Sequence, residues 1–452
     1  MSNPHDVRVV ACEVAFEPVP FRTPMTFGGR TVERTELINA AVTVERRDGK
    51  TATGHGSMPV GNVWAWPSQV TPPEQAERAM KRFAELRSLA YNSARGSGDV
   101  LQLAERIGID REGDLDELEE EVGLNEVLPY LAQLVATSPL DAALHDAVGR
   151  VHDCSSFDVL GPEFLNEGLS AYLDDRFAGE FLDRYTLRTP KPTLPLYHVV
   201  APTDPLTAAD VAASQTGPIG DGLPETLPEW IAADGVFHFK LRMSGKDLEW
   251  DVDRVRNVDR VVAESKAEGA TWRYSCDFNE QCDDIAYVVE MLRRLEAEAP
   301  AAFSRIQYLE QPTHRDLFAH PVPVHEASAI KPVVIDESLT GFDALLRAVD
   351  LGYSGVALKA CKGQTESLLM GAAAQKLGMF LCVQDLTCPG ASFLHSASLA
   401  ARIPTVAAIE GNARQYCPAP NAAWAPRYPG LFEISDGLVR TGDLRGPGLG
   451  FA

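Results

Sequence analysis

The sequence predicts a two-domain α/β protein, a (β/α)-barrel preceded by an α+β domain. Three observations predict it. From residue 194 onward short β-type runs alternate with helical runs, and eight such strand candidates can be picked out. Before that point strands come first and helices follow, the pattern of an antiparallel sheet covered by helices. The length of 452 residues is too great for one ordinary domain and small for three.

In the first part, residues 7–16 and 37–44 alternate between apolar and polar positions and read as strands. Arg47-Asp48-Gly49-Lys50 is a hairpin turn leading to a third strand over 51–56. Residues 73–90 form an amphipathic helix, and the acidic stretch 114–122 leads into a helix over 127–135. Ser138-Pro139 reads as the cap and first turn of a separate helix over 140–151. The barrel strands are expected at 194–200, 236–241, 272–276, 306–309, 333–335, 355–358, 379–383 and 406–409. Helices at 248–264, 284–296, 342–349 and 365–377 lie between them. The Pro/Gly-rich stretch 203–228 is long for a βα loop and reads as an insertion or lid. From Pro418 onward Pro and Gly accumulate, and this tail is expected to pack back onto the first domain. The expected division is 1–190, 191–415 and 416–452.

A hydrophobic content of 45% supplies ample core. The net charge of −23 argues against nucleic acid or an anionic membrane as partner. The eight cysteines show no C-x-x-C spacing, so neither a zinc cluster nor a disulfide framework is expected. Met1-Ser2-Asn3-Pro4-His5-Asp6 lacks a basic, then apolar, leader, and no run is long enough to span a bilayer. The expectation is a soluble cytoplasmic protein.

Three barrel strands end in acidic strings: Ser275-Cys276-Asp277-Phe278-Asn279, Gln307-Tyr308-Leu309-Glu310-Gln311-Pro312 and Val333-Val334-Ile335-Asp336-Glu337-Ser338. One such carboxylate is more often a helix cap or a salt-bridge partner. Three in consecutive units, converging on one barrel mouth, make an all-oxygen site suited to Mg²⁺. Asp277, Glu310 and Asp336 are the expected ligands, with Asn279 and Glu337 beside them to orient ligands or water. Lys240-Leu241-Arg242 ends the second strand, and period-2 alternation points both charges the same way. Lys359 ends the sixth, on the opposite side of the barrel, after the apolar Val356-Ala357-Leu358. A carboxylate substrate at the metal would then have a cation on each face. A lysine close to Mg²⁺ and other cations should have its pKa lowered towards that of a useful base. These parts suit removal of a proton α to a carboxylate, because a divalent cation and an ammonium offset the charge of the enediolate.

The strand-end order of Lys240-Leu241-Arg242, Asp277-Phe278-Asn279, Glu310-Gln311-Pro312, Asp336-Glu337-Ser338 and Ala357-Leu358-Lys359 resembles the enolase superfamily. It is closer to the muconate-lactonizing branch than to the mandelate-racemase branch. Ala142-Ala143-Leu144-His145-Asp146 with Gly149, and Pro447-Gly448-Leu449-Gly450, extend the resemblance over nearly the whole chain. The resemblance implies a modified TIM barrel under an α+β capping domain built from both termini. It also implies Mg²⁺ on Asp277, Glu310 and Asp336, with Lys359 as the sixth-strand lysine. By analogy with such capped barrels, a homo-oligomer is expected.

The sequence also departs from the branch. Arg242 stands where a second lysine is usual, and arginine is a poor base, so it suits anchoring or electrostatic stabilisation. Gln384-Asp385-Leu386 on the seventh strand holds no histidine, which argues against a His–Asp dyad. Glu410-Gly411-Asn412 on the eighth replaces the paired aspartates by which dipeptide epimerases hold an ammonium. In the family two mobile cap loops supply specificity; they match 21–29, with Phe27, and 54–59, running on to Trp64 and Trp66. His55 and His198 are polar enough to reach a substrate, though a lone histidine is more often structural. Asp385, Glu410, Phe27 and Trp64 are the expected substrate-side or supporting residues.

The function these readings favour is Mg²⁺-dependent α-proton abstraction from a small carboxylate. Lys359 would be the principal base or acid, and Lys240 and Arg242 would stabilise the enediolate. With one strong base, a lyase (a hydroxy- or sugar-acid dehydratase) or a cycloisomerase is preferred. A racemase or epimerase is the runner-up, and a barrel that binds metal and acid without turnover is the alternative from another class.

Overall fold

The computed structural model describes residues 3–107, 112–213 and 217–451. Its first sheet is antiparallel, in the order β1 (Val7–Phe27), β2 (Arg30–Arg46), β3 (Thr51–Pro59). The first two strands run well beyond the expected ends. Their ladder continues through Glu17↔Leu37 to Phe27↔Arg30, with an irregularity between Pro20 and Met25. Pro18 and Pro20 are tolerated because β1 is an edge strand, so their missing N–H groups break no second ladder. The expected loop over 21–29 is thus the far end of a hairpin, closed by Gly28 and Gly29 at φ 50° and 73°.

The expected break at Ser138-Pro139 is absent: one helix runs Tyr130–Val151 with Pro139 inside it. Proline there removes the bond to the Val135 carbonyl, and the Ser138 hydroxyl donates to that carbonyl instead, at 2.9 Å. Nearly every residue of the helix is buried, and such packing outweighs the local cost of about 3 kcal/mol. The same helix explains Gly54 and Gly56, which fall in the expected third strand and also in the segment matched to the family's second mobile cap loop. Both lie in β3. A Cβ on Gly56 would sit 2.0 Å from the Pro139 carbonyl oxygen, and one on Gly54 would sit 2.3 Å from that of Ala143. These glycines allow strand and helix to cross closely.

The barrel strands are β4 (Leu194–Val200), β5 (His238–Arg242), β6 (Arg273–Asp277), β7 (Ile306–Glu310), β8 (Val333–Ile335), β9 (Gly355–Lys359), β10 (Phe380–Gln384) and β11 (Val406–Glu410). All pair in parallel with their neighbours, and β11 pairs with β4 to close the barrel. Most end one residue later than expected, on the polar residue itself. Helices Leu248–Ser265, Ile285–Glu298, Phe342–Asp350, Gln364–Lys376 and Ala391–Arg402 cover the outside. A buried layer of Tyr197, Tyr308, Val334, Ala357, Cys382 and Ala408 forms one interior cluster. Its period-2 neighbours Lys359, Gln384 and Glu410 point the same way one layer nearer the C-terminal mouth.

A short twelfth strand, β12 (Leu438–Val439), adds antiparallel to β4. The tail then returns to the helix Tyr130–Val151, where the Leu449 amide donates to Asp146 Oδ1 at 2.8 Å and Arg150 donates to the Phe451 carbonyl at 2.6 Å. Of the stretch 203–228, residues 214–216 lie outside the described residues. The rest carries a short helix, Ala208–Ala213, and is tied to β1 by Arg22–Asp221 at 2.5 Å. Among the described residues every cysteine is free, and no helix is long and apolar enough to cross a membrane.

Candidate active site

Strand register assembles the site. Arg242 pairs with Asp277 and Asp277 with Glu310 across β5, β6 and β7, so three charged side chains point inward in one row. Lys359 pairs with Gln384 across β9 and β10. All of these side chains are buried, and burial of charge is tolerated only where charges are paired.

Lys240 lies at the centre, fully buried. Its Nζ is 2.8 Å from Glu310 Oε1, 3.0 Å from Glu410 Oε2 and 3.1 Å from Asp277 Oδ2. It also donates to Gln384 Oε1 at 2.5 Å, and Gln384 Nε2 donates on to Glu310. Arg242 donates to Asp277 and, at 3.1 Å, to Asn279 Oδ1. Burial alone would lower the Lys240 pKa, but Glu310, Glu410 and Asp277 outweigh it and hold the ammonium well above its usual range. Asp277 is pushed down, Lys240 and Arg242 overcoming its burial. Glu310 is pushed up by burial and by the charge of Asp277.

On the other side of the mouth, Lys359 Nζ lies 2.9 Å from Asp336 Oδ2 and 4.1 Å from the Trp64 ring centre. Burial favours the neutral amine, yet Asp336 outweighs it and the Lys359 pKa is raised. Among the protein's own charges Lys240 does lower it, as expected of a neighbouring cation, but Asp336 is the larger influence. Lys362 also donates to the Asp336 backbone carbonyl and lies 3.4 Å from its Oδ1. Against burial, the two lysines draw the Asp336 carboxyl down to about 2.

Asn279 and Glu337 link the two halves. The Asn279 amide donates to Asp277 Oδ1 at 2.9 Å, and its side chain donates to Glu337 Oε1 at 3.2 Å. Trp64 Nε1 donates to the same Glu337 oxygen at 2.9 Å. Asn279, Gln311 and Thr387, each just beyond a strand end, hold left-handed φ values of 43°, 33° and 57°. Such backbone strain persists where the surroundings over-determine it and is concentrated at functional sites. Around Gln311 those surroundings include Ser338, 2.7 Å from its side-chain nitrogen, and the Asp336 amide, 2.9 Å from its side-chain oxygen.

The cap closes over this floor. Phe21, Met25, Phe27, Val32 and Trp64 wall a pocket that Arg242, Lys359, Asp385, Leu386 and Asn412 also line. Phe27 and Trp64 thus join the strand-end residues. Trp66 instead donates to Glu126 at 2.9 Å within the cap. His198 faces outward, 5.6 Å from the Trp230 ring and 2.6 Å from an Arg414 nitrogen, and His55 lines a different cavity. Lys362 and Gln384 gained no role from the sequence. The Lys-x-x-Lys spacing across a 3₁₀ turn, Ala360–Lys362, was the available signal for the first.

Whether these residues suit a divalent cation can be tested by charge. Asp277, Glu310, Asp336, Glu337, Asp385 and Glu410 face Lys240, Arg242, Lys359 and Lys362, a surplus of two carboxyl groups over cations. Burial and Asp336 push Glu337 up to about 7, and burial and Glu410 push Asp385 up to about 7. That surplus and the all-oxygen donor set fit a hard divalent ion. Among the described residues, however, no three acidic, histidine or cysteine side chains stand grouped as a ready metal site. Each carboxylate of the triad is engaged by an internal cation.

Residues 223–452 match the family model described as enolase C-terminal domain-like. The chain belongs to the enolase superfamily, in its mandelate racemase/muconate lactonizing branch, and is an enzyme of that superfamily. Its fold is similar to that of the L-Ala-D/L-Glu epimerase of Bacillus subtilis (17% identity, 98% of each chain covered, TM-score 0.65). It is also similar to a dipeptide epimerase of Enterococcus faecalis V583 complexed with Mg and L-Leu-L-Tyr (15% identity, 98% and 99% covered, TM-score 0.63). A muconate lactonizing enzyme of Pseudomonas fluorescens complexed with muconolactone matches at 17% identity, 98% and 96% covered and TM-score 0.60. No curated protein matches the chain in sequence.

Proposed function

We propose that the enzyme removes the α-proton of a small carboxylic acid with Lys359 as its base, in a one-base reaction that ends as a lyase or cycloisomerase step. The observation that carries this reading is the asymmetry of the mouth. Lys359, from β9, lines the substrate pocket on one side, and Arg242, from β5, lines it on the other. An amine can accept and return a proton at neutral pH when its environment lowers its pKa; a guanidinium cannot.

Asp277, Glu310 and Asp336 are the residues that would hold Mg²⁺, which when bound supplies the Lewis-acid charge that acidifies the α-carbon. Lys359 would take the proton at Nζ as the neutral amine, its own ammonium proton having first passed to solvent once Asp336 no longer stabilised it. Arg242 stays cationic, and with Lys240 it offsets negative charge growing on the substrate oxygens. Trp64 and Phe27 exclude water from above.

A racemase or epimerase needs a second base on the Arg242 side. Lys240 is the amine there, and unlike Lys359 it keeps partners outside the three proposed ligands, Glu410 and Gln384, which hold it as an ammonium. Proton NMR in D₂O with Mg²⁺, over a panel of acids, tests the reading. Appearance of an unsaturated, 2-keto or cyclised product supports the one-base reaction. Return of the starting acid with both configurations present would favour the racemase.

A further inference from the structure

We propose that the pocket above Lys359 selects an acid with an apolar body, an aryl or branched alkyl carboxylate, over a polyhydroxylated one. This rests on the proposed reaction only in placing the substrate carboxylate at the charged floor.

The charged groups of the mouth are gathered on that floor. The walls above are Phe21, Met25, Phe27, Val32, Trp64 and Leu386. Several wall groups that could hydrogen-bond are engaged elsewhere. Trp64 spends its indole N–H on Glu337, so its ring presents only an apolar face. Both terminal nitrogens of Arg34 donate to Glu77, at 3.3 and 3.2 Å. Asn62 donates to the Pro73 carbonyl at 2.8 Å, and the Thr387 hydroxyl points at the Met25 sulfur at 3.5 Å. A chain of hydroxyls moved from water into this sleeve would lose hydrogen bonds and find few replacements, whereas an aryl or alkyl body loses none and buries apolar area. Asp385 is the exception. Its Oδ1 and the neighbouring Asn412 Oδ1, also among the lining residues, are buried without a partner, which leaves room for a polar substituent on that side and none along the apolar walls.

The test is a calorimetric titration of the Mg²⁺-loaded full chain with phenylacetate and with gluconate. Phenylacetate should bind at least tenfold more tightly. Gluconate binding as tightly, or phenylacetate failing to bind at millimolar concentration, overturns the proposal. Val32→Asn and Leu386→Asn should each shrink the ratio towards one; a ratio unchanged in both counts against it. Exchange of the α-protons in D₂O, followed separately, distinguishes the two claims. Phenylacetate bound but never exchanged sinks the proposed reaction and leaves the pocket's preference standing. Exchange confined to hydroxylated acids sinks the preference and leaves the reaction standing.

Discussion

Lys359 and Asp336 form a buried ion pair, Nζ to Oδ2 at 2.9 Å, beneath the ring of Trp64. The pair joins the proposed base to a proposed metal ligand, so in the proposed reaction one carboxylate would serve two cations in turn. While Asp336 faces the lysine, the amine keeps its proton; when Asp336 is drawn to another cation, that stabilisation is withdrawn.

Arg242→Lys should place a second amine on the opposite side of the mouth. Wild-type enzyme is expected to exchange the α-proton from one face only. The variant is expected to exchange from both and so to racemise a chiral substrate, followed by NMR and polarimetry. Single-face exchange by a folded, active variant would count against Arg242 as the reason for one-base chemistry.

Lys240→Met should be strongly destabilising. It leaves Asp277, Glu310 and Glu410 buried around a missing ammonium, and breaking a buried pair from one side costs about 3–5 kcal/mol. Urea unfolding monitored by circular dichroism measures the change. A loss below about 1 kcal/mol would mean that the cluster is far more hydrated than its burial implies.

Gly56→Ala tests the strand–helix crossing. The added methyl would meet the Pro139 carbonyl at 2.0 Å, and overpacking of this kind costs about 1–3 kcal/mol, occasionally more. Thermal unfolding should show a lower midpoint. Ala tolerated without loss would restore the reading of this segment as a mobile loop.

His395 gives a pH signature. It is buried, with Nε2 2.9 Å from Gln364 Oε1, and burial lowers its pKa to about 3. The unfolded chain protonates this residue near its ordinary value of about 6.5, so unfolding takes up a proton between the two. Its contribution is present above pH 6.5 and lost as pH falls towards 3. Stability of wild type minus that of His395→Gln should therefore shrink from pH 7.5 to pH 4.5. A difference that does not change with pH contradicts the buried neutral imidazole.

Much of this was legible before the fold was known, for a physical reason. A barrel strand is short, apolar and ended by a polar residue at the mouth, so Asp277, Glu310, Asp336 and Lys359 each closed a readable pattern. Closure of β11 on β4, by contrast, is a long-range pairing that no local run encodes. Pro139 was misread because a local rule for helix starts was overruled by burial on all sides and by the Ser138 hydroxyl. The strand that holds Gly54 and Gly56 was legible, but the need for glycine there was not, because its reason lies on another element, the helix that crosses them. The pKa of Lys359 turned on a partner 23 residues away in sequence, Asp336, whose proximity only the barrel provides.

The most direct test of the central claim compares wild type with Lys359→Ala for α-proton exchange in D₂O with Mg²⁺, using an acid that the wild type turns over. Calorimetric Mg²⁺ binding by both proteins serves as the folding control. The expected result is exchange by wild type and a loss of at least about 10²-fold in the variant, with Mg²⁺ still bound. Exchange at the wild-type rate without Lys359 would contradict its assignment as the base.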